Sequence, residues 1–183
     1  METKKLPINF ELSSEADQPG AQQNWVAFRL QQLIFGLPIE AIVQIIPMVT
    51  IARLPNSDPV IEGVLNLRGK AVPVINLHRH FGLSQASYQV HTPIILVREG
   101  EQIIGFIADE VLEVLNFSLD SIISPNELLP PGLQDIPNLR GIIYDRNRVV
   151  LLIELDNLFQ FNQGRLLVDA ASHLPQSDSV TAQ

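Results

Sequence analysis

The chain has 183 residues, 46% of them hydrophobic, a content that commits it to a buried core and excludes a disordered protein. Twenty acidic against twelve basic side chains give a net charge of −8, so the chain as a whole repels nucleic acid and anionic lipid rather than gathering them. The lack of cysteine excludes a disulfide framework, a zinc knuckle and a thiol nucleophile, and it suits a reducing compartment.

Residues 1–23 read as a flexible N-terminal tail. Lys4 and Lys5 are followed by Asn9, Glu11, Ser13, Ser14, Glu15 and Asp17, not by the apolar stretch of a signal peptide. From 24 to 163 the apolar runs are short, rich in Val and Ile, and punctuated by Gly, Pro, Asn and Asp, the pattern of many short strands. The clearest strands are expected at 25–30, 41–46, 60–67, 71–77, 93–97, 103–108, 111–115 and 148–155. Helical spacing occurs only briefly, at 77–82 and 155–161, each directly after a strand. Residues 164–183 are expected to hold a short amphipathic helix over 164–172 and a second polar tail. No window is long and apolar enough to span a bilayer, so a cytoplasmic protein without direct membrane insertion is expected. The fold class is all-β with short helices.

An internal repeat is the most informative feature. Residues 63–81 align without a gap on 141–159 at an offset of 78, with Gly63 on Gly141, Arg68 on Arg146, Lys70 on Arg148, Val72 on Val150, Leu77 on Leu155 and Phe81 on Phe159. A weaker echo sets Gly36, Glu40, Ile42, Gln44 and Ile46 on Gly105, Asp109, Val111, Glu113 and Leu115 at an offset of 69. Two units are too few for a solenoid and imply a duplicated β-unit, with a groove where the copies meet. Such a groove suits another protein's helix.

The sequence offers no support for catalysis or for a cofactor. Gly63 to Lys70 resembles a phosphate loop, but five residues separate Gly63 from Gly69 and Ala71 stands where a hydroxyl should hold magnesium. His78 and His80 form an H-x-H pair without enough companions for a metal, and they read as surface imidazoles beside Arg79. No nucleophile elbow occurs. On a strand, Asp109 and Glu110 would point to opposite faces. In the first hairpin, Gly69 permits a turn with positive φ and Pro73 suggests a strand edge or a bulge. Arg68 at that turn reads equally as a rim residue for a partner or as a clamp on loop carbonyls.

The stretch Ile61-Glu-Gly-Val-Leu-Asn-Leu-Arg-Gly-Lys-Ala-Val-Pro-Val-Ile-Asn-Leu77, followed by Phe81-Gly82, closely resembles the core motif of CheW-like chemotaxis coupling proteins. The resemblance extends to Phe35-Gly-Leu-Pro-Ile39, Val43-Gln44, Pro55-Asn56, Gly105 with Asp109-Glu-Val111, and Leu139-Arg-Gly141 with 149–155, nearly the whole chain between the tails. It implies two SH3-like five-stranded β-barrel subdomains and a non-enzymatic adaptor. The implied partners are the cytoplasmic tip of a chemoreceptor, held in the groove between barrels, and the regulatory domain of a CheA-type histidine kinase. By the same resemblance Val43, Ile45, Asn66, Arg68, Gly69 and Gly105 fall in or beside the receptor groove, Ile45 replacing an acidic residue common in the family. The competing reading is a small-molecule sensor with its ligand in that groove, which requires convergent polar groups around a pocket.

Overall fold

The computed structural model describes residues 20–84, 87–128 and 138–156. Most of both expected tails and, beyond Asp156, the helices expected at 155–161 and 164–172 lie outside the described residues. Ten strands run in the order β1 (Gln22–Leu30), β2 (Leu33–Pro38), β3 (Ile42–Pro47), β4 (Ile61–Leu67), β5 (Lys70–Asn76), β6 (Pro93–Glu99), β7 (Gln102–Ile107), β8 (Glu110–Ser118), β9 (Leu139–Asp145) and β10 (Arg148–Ile153). A single-turn helix α1 (Leu77–His80) follows β5, and another, α2 (Pro125–Leu128), follows β8. Strands β2 and β9 are not among those the sequence predicts. Gly36, Pro38 and Gly141 read as punctuation, yet they lie in strands because neighbouring strands supply their hydrogen bonds.

The strands form two five-stranded sheets, β8-β1-β2-β10-β9 (barrel 1) and β3-β6-β7-β5-β4 (barrel 2). Replacing each strand of the second order by its repeat partner reproduces the first. The repeat partners therefore occupy equivalent places in the two sheets, but exchanged, since each barrel takes strands from both repeats. Register agrees residue by residue. Gly63 pairs with Val74 and, after a bulge, Ile61 with Ile75; in barrel 1 Gly141 pairs with Leu152 and Leu139 with Ile153. The parallel pairs match as well, Val74 with Gly105 and Leu152 with Gly36.

Each sheet is drawn toward closure by one isolated bridge, Ala52 to Val64 in barrel 2 and Ile123 to Ile142 in barrel 1. Here the repeated glycine has a physical reason. The bridging segment crosses directly over it, so a Cβ on Gly63 would stand 2.3 Å from the Ala52 carbonyl oxygen, and one on Gly141 2.2 Å from Ile122 Cγ2.

Continuous apolar runs such as Ile94-Ile-Leu-Val97 arise because the strands are covered on both faces. One face fills a barrel: Trp25, Ala27, Val150 and Leu152 in barrel 1, Leu65, Val74, Ile94 and Leu96 in barrel 2. The other face joins a larger core between the barrels, where Phe28, Phe35, Leu37 and Leu151 meet Ile75, Ile95, Val97 and Phe106. Pro73 does not mark an edge, because β5 lies between β4 and β7. The parallel ladder with β7 begins only at Val74, so the missing donor falls just outside it.

Candidate functional site

Exposed apolar side chains are concentrated along one segment of barrel 2. Of the nine large exposed hydrophobics among the described residues, four fall between positions 39 and 49: Ile39, Val43, Ile45 and Val49. Pro38 sets up a single 3-10 turn at Ile39–Ala41, and β3 follows as the end strand of its sheet. The register with β6 shifts between Ile42 and Gln44, so Val43 is the bulged residue. Ile45 pairs with Ile95 on the face turned toward the other barrel. Val43 and Ile45 are each 41% exposed, a cluster of a kind that marks interaction surfaces.

Asn66, Arg68 and Gly69 share the β4–β5 hairpin. Arg68 (φ 53°) and Gly69 (φ 83°) both have positive φ, as the tight turns that match strand twist require, and Asn66 Oδ1 accepts from the Gly69 N–H at 2.7 Å. Arg68 and Lys70 are exposed, and among the described residues neither donates to a carbonyl or a carboxylate, which leaves the clamp on loop carbonyls without support at Arg68.

The equivalent hairpin of barrel 1 differs in charge. Arg148 there donates to Glu113 of β8 at 2.8 Å and to Asp145, which ties the hairpin to the end strand. Through the repeat these three residues correspond to Lys70, Gln44 and Leu67. Barrel 2 thus carries the same hairpin without the two carboxylates, and neither Arg68 nor Lys70 has a carboxylate partner among the described residues.

Gly105 does not belong to this surface. It is buried in β7, and a Cβ there would meet Ile94, Leu96 and Val74 at 3.0–3.5 Å inside barrel 2. Its repeat partner Gly36 faces Leu152, Val150 and Trp25 in the same way. The position calls for a small residue because the barrel is narrow. The surface reading of the H-x-H pair is also corrected. His78 is 0% exposed and donates from Nε2 to the Asp109 carboxylate at 3.2 Å. His80 is half-buried, and burial pushes its imidazole below the ordinary 6.5 despite a hydrogen bond to Asn138 and the nearby Asp58. Among the described residues no group of three His, Asp or Glu is placed to hold a metal. A cleft of about 200 Å³ lined by Arg53, Asp58, Glu62 and Arg79 lies by the loop before β4, away from β3. It is smaller than the roughly 300–1,000 Å³ of typical ligand pockets. Sequence reasoning passes over Lys70, whose missing carboxylates show only when the two hairpins are compared.

The CheW-like domain model matches residues 24–163. The chain belongs to the CheW-like family. It is 27% identical over 165 residues to the chemotaxis protein CheW of Helicobacter pylori, a match covering 86% of this chain and 98% of that one. Identity to a probable chemotaxis protein CheW of Rhizobium etli is 30% over 134 residues, covering 73% and 85%. The crystal structure of the scaffolding protein TtCheW from Thermoanaerobacter tengcongensis superposes with a TM-score of 0.69 at 31% identity, covering 80% of this chain and 94% of that one. The two five-stranded sheets are the paired SH3-like barrels of the CheW-like fold. Among the described residues no helix is long and apolar enough to cross a membrane.

Proposed function

We propose that this protein is a non-enzymatic adaptor that couples chemoreceptors to a CheA-type histidine kinase in chemotaxis or motility signalling. Family membership and the likeness to a scaffolding protein support the coupling role. The observation that carries the site is the exposed apolar β3 of barrel 2, and the repeat, through the Arg148–Glu113 contact of barrel 1, supports setting the Arg68 and Lys70 hairpin near it. On this reading Val43 and Ile45 form the floor of the receptor groove, and the Asn66–Gly69 turn brings Arg68 to its rim. A receptor tip is a helical hairpin, and the apolar stripe of an amphipathic helix suits such a floor, while Arg68 and Lys70 suit carboxylates beside that stripe. The protein works from the cytoplasm and joins receptor arrays through this surface.

Titration with a soluble receptor-tip hairpin tests the site. Ile45→Asp is expected to weaken binding by at least about tenfold, since it buries a charge against an apolar stripe. Val114→Asp makes the same chemical change at the equivalent position of barrel 1 and is expected to leave binding unchanged. Equal losses from both substitutions would remove β3 as the docking strand.

A further inference from the structure

The seam between the barrels is pinned on one side by a set of polar contacts that the duplication does not repeat among the described residues. Asp109 lies where the chain crosses from β7 of barrel 2 to β8 of barrel 1. Its carboxylate accepts from the backbone N–H of Gln31, in the β1–β2 turn of barrel 1, at 2.6 Å, and from His78 of α1 at 3.2 Å. Its own N–H donates to the Arg29 carbonyl at 3.0 Å. Gln31 Nε2 completes the ring by donating to the Ser84 carbonyl at 2.6 Å and lying 2.9 Å from the Ser84 hydroxyl. Beside these groups Phe81 stacks on Phe35 across the seam, with ring centroids 4.8 Å apart.

The repeat predicts what should stand on the opposite side. His78, Asp109 and Gln31 correspond to Asp156, Glu40 and Gly100. Asp156 and Glu40 are exposed carboxylates, which make no donor and acceptor pair like that of His78 and Asp109, and Gly100 has no side chain to reach across. The turn geometry itself is kept, with φ 55° at Gln31 and 59° at Gly100, so the difference lies in the side chains and not in the backbone.

We propose that His78, Asp109, Gln31 and Ser84 form a latch that fixes the angle at which the two barrels pack on their shared core. The His78 ring is wholly buried and its Nδ1 has no hydrogen-bond partner, so Asp109 is the polar group that holds it in place. Removing that carboxylate strands a buried imidazole and frees the β1–β2 turn together, loosening both anchors of the latch at once. Any partner that touches both barrels senses their angle, which makes these four residues positioning residues for such a partner.

Pulsed electron–electron distance measurement on the full chain tests the latch. The chain has no cysteine, so Glu101→Cys and Asn147→Cys carry one nitroxide on each barrel. The parent should give one narrow distribution. Asp109→Ala is expected to broaden it about twofold or to shift its mean by more than about 2 Å, the scale of a genuine rearrangement. A second pair, Glu101→Cys with Lys70→Cys, lies wholly on barrel 2 and should not change. Gln31→Gly guards against misfolding: it installs the residue that the equivalent turn already carries, suits the positive φ, and removes only the link to Ser84. It should broaden the inter-barrel distribution by a smaller amount, and it decides alone if Asp109→Ala does not fold. Inter-barrel distributions identical to the parent would overturn the latch, as would equal broadening within barrel 2.

Discussion

Gly63→Ala is expected to destabilise the fold by about 3 kcal/mol, near the upper end of the usual range for overpacking. The added methyl would meet the Ala52 carbonyl oxygen at 2.3 Å, and that oxygen belongs to the bridge that closes barrel 2. Both backbone bonds of the bridge are 2.8 Å long, so the segment cannot retreat without breaking them. The φ of +153° adds strain for any residue with a side chain. Gly141→Ala should cost less, since its clash is with a side-chain methyl of Ile122 and the nearest bridge oxygen lies at 3.2 Å. For a chain of this size, about 3 kcal/mol corresponds to a melting temperature lower by roughly 6–12 °C. Thermal unfolding followed by circular dichroism checks both variants. A decrease at Gly63 no larger than at Gly141 would contradict the bridge as the reason for the repeated glycine.

Arg68→Glu should weaken receptor-tip binding by several kcal/mol, on the order of the cost of setting like charges against each other at an interface. Stability should change by less than roughly 0.5 kcal/mol, because the side chain is exposed, no described group depends on it, and the turn is as strained for Glu as for Arg. Arg146→Glu, at the same place in the barrel 1 hairpin, should leave receptor-tip binding intact. Calorimetric titration beside a melting curve separates the outcomes. Reduced stability with retained binding would show that Arg68 serves the fold and not the partner.

The duplication is legible in the amino-acid sequence alone, because Gly63 and Gly141, and Arg68 and Arg146, sit at geometrically demanding places that both copies must solve alike. The exchange of strands between barrels is not. An offset says which residues are equivalent, but not which copy of a strand pairs with which, and that choice rests on long-range registers such as Trp25 with Leu115 and Gln44 with Leu96. The same limit explains the histidines. The burial of His78 depends on Asp109 and, through it, on Gln31, residues from three separate elements that only the folded seam brings together. Gly105 is misplaced by sequence reasoning because a glycine on a central strand carries no mark telling a groove from a barrel interior; the Ile94 and Leu96 side chains packed against it decide that. The exposed β3 is easier to read. It is expected as a strand at 41–46 and found at Ile42–Pro47, while the exposure of Val43 and Ile45 shows only in the fold.

Coupling of receptor to kinase is tested most directly by co-sedimentation. Receptor cytoplasmic domains assembled on vesicles, a CheA-type kinase and this protein are mixed, and the kinase in the pellet is measured as the protein is titrated in. The kinase should pellet in saturable proportion to added protein, and Arg68→Glu should leave it in the supernatant. A pelleted kinase fraction that does not depend on this protein would contradict the adaptor role.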